Sequence, residues 1–229
     1  MEKSLLKYPY GNKYIYYPTD EKYNRCIVIK KTKNGNLWEK NITKLIFNDC
    51  KPNHCAIDIG ANIGIHSLSM INAVKNGQLI AFEPQKEISK CLEKTLEEYD
   101  NVSISNYLVS SKNSISLFMC NHTGCSRIPI NGKKYNKNWE EKIKKTITLD
   151  RYLYINKSLP VCLIKIDVEG HEFEVLKGAQ NTIHKYKPII YIEVWKDSKN
   201  INKLRSWCVM NDYIANQVSA NDFRLIPRK

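Results

Sequence analysis

Acidic residues recur in this sequence at the ends of short apolar runs, where a parallel sheet would deliver them to one edge. The first run is Ala56-Ile57-Asp58-Ile59-Gly60-Ala61-Asn62-Ile63-Gly64, which leads into a glycine-containing turn and then a helix predicted over Ile63 to Val74. A dinucleotide site wants G-x-G-x-x-G, because the backbone must come very close to a pyrophosphate at a helix N-terminus. Only Gly60 and Gly64 are present here, and Asp58 precedes them. The turn therefore suits a ligand without phosphates, one that needs room for an aminoacyl group and an acid to orient its amino group. S-adenosylmethionine is such a ligand.

The second run ends in Ala81-Phe82-Glu83-Pro84, and an acid at this point can accept hydrogen bonds from both ribose hydroxyls of a nucleoside. Asn62 in the turn and Asn106 at the end of the third run complete the expected cofactor set with Asp58, Gly60, Gly64 and Glu83. The fourth run reads Leu163-Ile164-Lys165-Ile166-Asp167-Val168-Glu169-Gly170-His171-Glu172. Lys165, Asp167 and Glu169 alternate and project to one side for as long as the strand persists. Asp167 falls at the C-terminal end, where open α/β sheets bind ligands. It is the expected catalytic base, with His171 as its partner. Lys165 is expected to pair with Asp167, and Glu172 to serve as a first-turn helix acid. Glu193 closes the fifth run and, since parallel neighbours lie about 4.8 Å apart, can converge on Asp167. Glu169 and Glu193 are assigned to the acceptor side. Two carboxylates this close would share a proton, pair with Lys165 or His171, or bind a divalent cation. Metal-independent catalysis is preferred, because the edge offers only two obvious oxygen ligands.

Elements that could position these residues follow from periodicity. Runs at Ala56 to Ile59, Leu79 to Phe82, Val102 to Asn106, Val161 to Val168 and Ile189 to Val194 alternate with helix-period segments, the pattern of a parallel sheet covered on both faces. Ile88, Cys91, Leu92, Thr95, Leu96 and Tyr99 form one helical stripe, and Phe173, Leu176, Ala179, Gln180 and Ile183 another. A helix near Ile201 to Val209 precedes an antiparallel hairpin, Tyr213 to Val218 and Phe223 to Ile226. Residues 110–146 interrupt the alternation with a strand-like Ile115 to Met119 and a polar loop. Residues 1–52 read as an N-terminal extension capping a domain over 53–229, with a strand at Cys26 to Ile29, a turn at Asn34-Gly35-Asn36 and a helix around Leu37 to Phe47.

The chain resembles the FkbM-type S-adenosylmethionine-dependent O-methyltransferases. The matching stretches are Ile57 to Gly64, Phe82-Glu83-Pro84, Thr148-Leu149-Asp150, Ile164 to Glu172 followed by Val175-Leu176-Lys177-Gly178-Ala179, and Pro188 to Glu193. The resemblance implies a Rossmann-like class I methyltransferase, α/β, with a mostly parallel seven-stranded sheet in the order 3-2-1-4-5-7-6. It also implies methylation of a hydroxyl on a sugar, glycan or related small molecule, and it places Gly124 and Ser126 in a loop that contacts substrate. An RNA ribose 2′-O-methyltransferase is the alternative, with Asp167, Lys177 and Glu193 around the target; Lys177 follows too closely in the next helix to suit it.

The composition adds boundaries. The 229 residues fit one core. The formal charge of +13 from 36 Lys and Arg against 23 Asp and Glu would attract nucleic acid, but Arg, the better phosphate reader, contributes only 6 of those cations. Abundant Lys, Asn and Ile point instead to an AT-rich genome. Eight cysteines without a C-x-x-C pair suggest a reducing compartment. Cys120, His122 and Cys125 could ligate zinc, though an ordinary loop is preferred. No apolar run approaches a membrane span or a signal peptide, so the expected location is cytoplasmic, or the host cytoplasm for a viral source.

Overall fold

A computed structural model of the chain describes residues 1–23, 26–112, 115–120 and 139–228. The N-terminal residues form an antiparallel hairpin, β1 (Glu2–Tyr8) and β2 (Gly11–Tyr17), paired from Glu2↔Tyr17 to Tyr8↔Gly11. Its alternation puts Leu6, Tyr8, Ile15 and Tyr17 inside. Two helices follow, α1 (Ile27–Lys33) and α2 (Lys40–Asp49). The strand expected at Cys26 to Ile29 is thus the start of a helix: β-branched Ile27, Val28 and Ile29 favour a strand locally, but Ile29 and Thr32, three residues apart, are both fully buried on one helical face.

The central layer is built from β3 (Cys55–Ile59), α3 (Ile65–Ala73), β4 (Gln78–Phe82), α4 (Lys86–Thr95) and β5 (Val102–Ser105). The interrupting segment contributes β6 (Leu108–Val109), β7 (Ile115–Cys120), β8 (Trp139–Lys144) and β9 (Thr146–Ile147); β7 pairs with β8 antiparallel, and β6 with β9 in parallel. Next come α5 (Leu149–Ile155), β10 (Val161–Ile166), α6 (Glu172–Gly178), α7 (Gln180–Tyr186), β11 (Ile189–Glu193), α8 (Ser198–Asn211), β12 (Tyr213–Gln217) and β13 (Asp222–Pro227). The stripe from Phe173 to Ile183 is split into two helices at Ala179. There Gly178 approaches so closely that a Cβ would lie 3.2 Å from the Ser110 carbonyl.

The main sheet runs β12-β13-β11-β10-β3-β4-β5; numbered along the chain, its strands stand in the order 3-2-1-4-5-7-6. The five strands from β11 to β5 are parallel, and β13 pairs antiparallel with both β11 and β12. Strand alternation divides the interior into two cores. Ala56, Leu79, Ala81 and Leu163 join the hairpin, α1 to α4 and Tyr191 on one face. Ile57, Ile59, Ile80, Phe82, Ile164, Ile166 and Ile190 meet α5 to α8 on the other. Each fully buried aliphatic side chain contributes about 1.5–3 kcal/mol. The extension is fastened to the first face by polar contacts as well: Tyr8 Oη donates to the Ile65 carbonyl at 3.1 Å, Tyr16 N to Thr95 Oγ1 at 3.1 Å, and Lys13 pairs with Glu98 at 2.8 Å. Among the described residues, no helix is long and apolar enough to cross a membrane.

Candidate active site

The C-terminal ends of β3, β4, β10 and β11 open into a cavity of about 270 Å³, near the lower end of the range usual for small-ligand sites. Gly60 lines it with φ +85°. A Cβ there would stand 1.9 Å from the Asp167 carbonyl oxygen, so only glycine lets β3 turn away beside β10. The amides of Gly60 and Ala61 both donate to the Phe82 carbonyl at 3.0 Å, which ties the turn to the end of β4.

Glu83 follows directly. Its carboxylate accepts from Asn62 N at 3.0 Å through Oε2 and from Gln85 N at 2.8 Å through Oε1. Burial pushes the carboxyl up to about 7 against the opposing pull of those two amides. Each oxygen keeps a further lone pair for a ligand hydroxyl. Phe82, Pro84, Gln85, Tyr107, Leu108 and Val109 form the wall around it.

Across the cavity stand Asp167, Glu169 and Glu193. Lys165 Nζ lies 3.1 Å from Asp167 Oδ2 and 4.0 Å from Asp58 Oδ1. Burial alone would raise the Asp167 carboxyl, but the Lys165 ammonium prevails and holds it below its usual value. Glu193 goes the other way: burial, then the charges of Asp167 and Glu169, push it up to about 9. The pair thus divides at neutral pH into an ionised Asp167 and a protonated Glu193, hydrogen-bonded to each other.

Several expected positions lie elsewhere. Asp58 is fully buried behind the wall, where Ser67 Oγ donates to its Oδ2 at 2.6 Å; it faces Lys165 across the β3–β10 register. Gly64 does not line the cavity. A Cβ there would meet Leu92 Cδ1 at 2.8 Å, so it lets α3 pack close to α4. Asn106 is exposed and donates to the Glu83 carbonyl at 2.9 Å, pinning the end of β5 to that of β4. Asn62 does line the cavity, with φ 51° and its own side chain accepting from Ile63 N. His171 is not brought to Asp167. It is buried outside the cavity wall, with Nε2 2.9 Å from Ser110 Oγ, and burial lowers it to about 4. Glu172 caps its own loop, accepting from Gly170 N at 2.7 Å. The strand ends at Ile166, so Glu169 sits on the following turn with φ 55°. Gly124, Ser126, His122 and Cys125 lie outside the described residues. Among those described, no three His, Cys, Asp or Glu side chains cluster to hold a metal.

The extension contributes residues that the motifs did not point to: Ile27, Val28, Trp38 and Glu39 all line the cavity. Glu39, with φ 46°, is held by His66 Nε2 at 2.9 Å. Leu108 and Val109, an apolar pair two residues after the third run, carried a signal that could have placed them.

Comparison with known proteins agrees with this architecture. The chain is 27% identical over 188 residues to the hexuronic acid methyltransferase AglP of Haloferax volcanii, covering 81% of this chain and 75% of that protein. It is 28% identical over 174 residues to methyltransferase sdnD of Sordaria araneosa, covering 66% of that protein. The crystal structure of methyltransferase FkbM from Methylobacillus flagellatus superposes with a TM-score of 0.54 at 19% identity, over 77% of this chain and 43% of that one. Residues 58–225 match the methyltransferase FkbM domain, a span that begins at Asp58 in β3 and ends within β13, and the chain therefore belongs to this family of S-adenosylmethionine-dependent methyltransferases.

Proposed function

We propose that the protein methylates a hydroxyl of a sugar, glycan or related small molecule, with Asp167 as the base. The observation that carries this reading is Asp167 at the cavity wall, with Lys165 at 3.1 Å holding its carboxyl below the usual value and Glu193 on the same wall. The cofactor's fit rests on three features: the bare Gly60 turn, the Glu83 oxygens placed to accept ribose hydroxyls, and the apolar wall of Phe82, Tyr107, Leu108 and Val109 suited to a base. When bound, S-adenosylmethionine supplies a methyl group already activated by its sulfonium.

What the chain must add is position and a place for one proton. A hydroxyl oxygen that has gained a methyl is strongly acidic, so even a carboxylate held below its usual value can take that proton. Asp167 is kept ready by Lys165, while protonated Glu193 holds it in place without competing as a second anion. The sugar class of the acceptor is supported by the similarity to the Haloferax hexuronic acid methyltransferase, at an identity that does not carry the individual sugar across.

Labelled-methyl transfer to a panel of sugars and to RNA tests the reading. Asp167→Asn should lower turnover by about 10²–10⁴-fold, the range of a positioned base, and leave S-adenosylhomocysteine affinity within about threefold. Transfer should survive EDTA; loss restored by Mg²⁺ or Mn²⁺ would make Asp167 and Glu193 metal ligands instead. Methylation of a defined RNA with none of any sugar would refute the acceptor class.

A further inference from the structure

Among the described residues, two cysteines meet across the seam between the extension and the sheet. Cys50 caps the C-terminus of α2, and Cys162 is the second residue of β10. The β10–β3 register shifts between Val161 and Leu163, which leaves Cys162 out of the ladder, and its side chain joins Cys50 in the core on the extension's side. The two thiols are hydrogen-bonded to each other. The Lys51 amide, next along the chain from Cys50, donates to Cys162 Sγ at 3.4 Å, and that sulfur lies 3.5 Å from the Cys55 carbonyl. Cys55 itself is fully buried in the opposite core, so Cys50 is the partner within reach. The pair is also unequal. The hydrogen bond from Cys50, the Lys51 amide and the nearby His54 pull Cys162 down to about 7 against the effect of burial, while the same thiol contact and burial push Cys50 up. A thiolate nucleophile thus sits beside a protonated partner thiol, the arrangement of a reactive pair.

We propose that Cys50 and Cys162 form a reversible disulfide when the protein meets hydrogen peroxide, a latch that fastens the extension to the sheet. The Cys162 thiolate attacks one peroxide oxygen, the O–O bond breaks and hydroxide leaves, giving a sulfenic acid at Cys162. The Cys50 sulfur then attacks that sulfur. The S–S bond forms, the S–O bond breaks, and the hydroxyl departs as water with the proton of Cys50. Two thiols are oxidised by two electrons and one peroxide is reduced to two waters; a dithiol reverses the step by exchange. Cys50 and Cys162 are 8% and 5% exposed, which suits an oxidant as small as peroxide rather than a protein. The latch lies at the end of α2 remote from the cavity. Trp38 and Glu39, which line the cavity, directly precede α2, and Asp167 follows the last residue of β10. Joining Cys50 to Cys162 therefore holds α2 against β10 without placing anything in the site. The two cysteines are far apart in sequence, and closing so long a loop restricts the unfolded chain strongly.

Peptide mapping and thermal melts of the full chain test the latch. The reduced protein is treated with hydrogen peroxide, its remaining thiols are alkylated in denaturant, and the digest is read by mass spectrometry. The peptide containing Cys50 should be joined to the one containing Cys162, and dithiothreitol should part them. The oxidised chain should melt at least about 5 °C above the reduced one. In Cys50→Ser the reaction should stop at Cys162 as a sulfenic acid that dimedone labels, with no rise in Tm. No cross-link in the oxidised wild type, Cys162 joined to a different cysteine, or a Cys50–Cys162 link that leaves Tm unchanged or lower would overturn the inference. The mapping is done on the wild-type chain, so it decides the question even where Cys50→Ser fails to fold.

Discussion

Replacing Lys165 by methionine should destabilise the fold far more than it disturbs the packing, and the reason lies behind the cavity rather than in it. Lys165 is 5% exposed and serves two carboxylates, at 3.1 Å and 4.0 Å. Their fates on its removal differ. Asp167 retains 37% side-chain exposure, so water entering the cavity can resolvate it. Asp58 is fully buried, and its Oδ1 has no hydrogen-bond partner among the described residues; Lys165 is its compensating charge. Removing one member of a buried ion pair typically costs about 3–5 kcal/mol, which for a chain of this size corresponds to a fall in Tm of about 6–20 °C. The Lys165 pKa is raised in the folded state, so its contribution is complete below the unfolded value of about 10.4 and fades only as pH rises through the folded one. A thermal melt at pH 7.5 therefore measures all of it. Adding Asp58→Asn to the variant removes the stranded anion while keeping an oxygen for Ser67 Oγ, and should restore part of the loss. A fall of less than about 2 °C, or a double variant no more stable than the single, would refute the assignment of Asp58 as a buried counter-charge.

Two further outcomes follow from the same geometry. Glu83→Gln turns one carboxylate oxygen into a donor facing a backbone amide, so S-adenosylhomocysteine affinity should fall by about 10- to 150-fold, the equivalent of one charge-assisted hydrogen bond of about 1.5–3 kcal/mol. Since hydroxyl donors favour the ionised form and burial raises Glu83 to about 7, wild-type affinity should weaken as pH drops below that value; calorimetry at pH 6 and 8 checks both points, and equal affinities would remove Glu83 from the ribose. His171→Asn should cost about 1 kcal/mol through the lost contact with Ser110 Oγ, with turnover within about threefold of wild type in a labelled-methyl assay; a fall of 100-fold would return His171 to the catalytic machinery.

Four of the five parallel strands were legible because each is a short apolar run buried on both faces, while the edge strand β5 is only partly buried, and the structure moves the ends of all five by only a residue or two. The N-terminal hairpin was not, since its two strands bury only alternate residues such as Leu6, Tyr8, Ile15 and Tyr17 among lysines and exposed tyrosines. Ile27 to Ile29 shows tertiary contact overriding local preference. In the site, residues at strand ends were found because a strand end has a fixed address in this topology. Asp167, Glu193, Glu83 and Gly60 all reach the cavity for that reason. His171 was misplaced because its position depends on the turn at Glu169 and Gly170, both with positive φ, which no periodicity reports. Trp38 and Glu39 were out of reach for a different reason: they come to the cavity only through the packing of α1 and α2 on the first face.

Four strand ends deliver four carboxyl groups of nearly the same intrinsic acidity, and the fold gives each a separate chemistry. Asp58 and Lys165 fall on the sheet face that the extension and α3 cover, so water is excluded and the carboxylate becomes a fixed counter-charge. Glu83 lies at the end of its strand, where two backbone amides oppose the effect of burial and leave it poised near 7. Asp167 and Glu193 share a neighbourhood, yet Lys165 contacts Asp167 and holds it down, while burial and then the neighbouring charges of Asp167 and Glu169 push Glu193 up. Environment rather than residue type assigns the roles, as it does wherever paired carboxyl groups are driven apart. A motif that names four acids therefore cannot say which of them is held as an anion at the cavity. That depends on where the buried Lys165 points, and Lys165, two residues before Asp167 in sequence, points to it; the proposed role of Asp167 as the base rests on this.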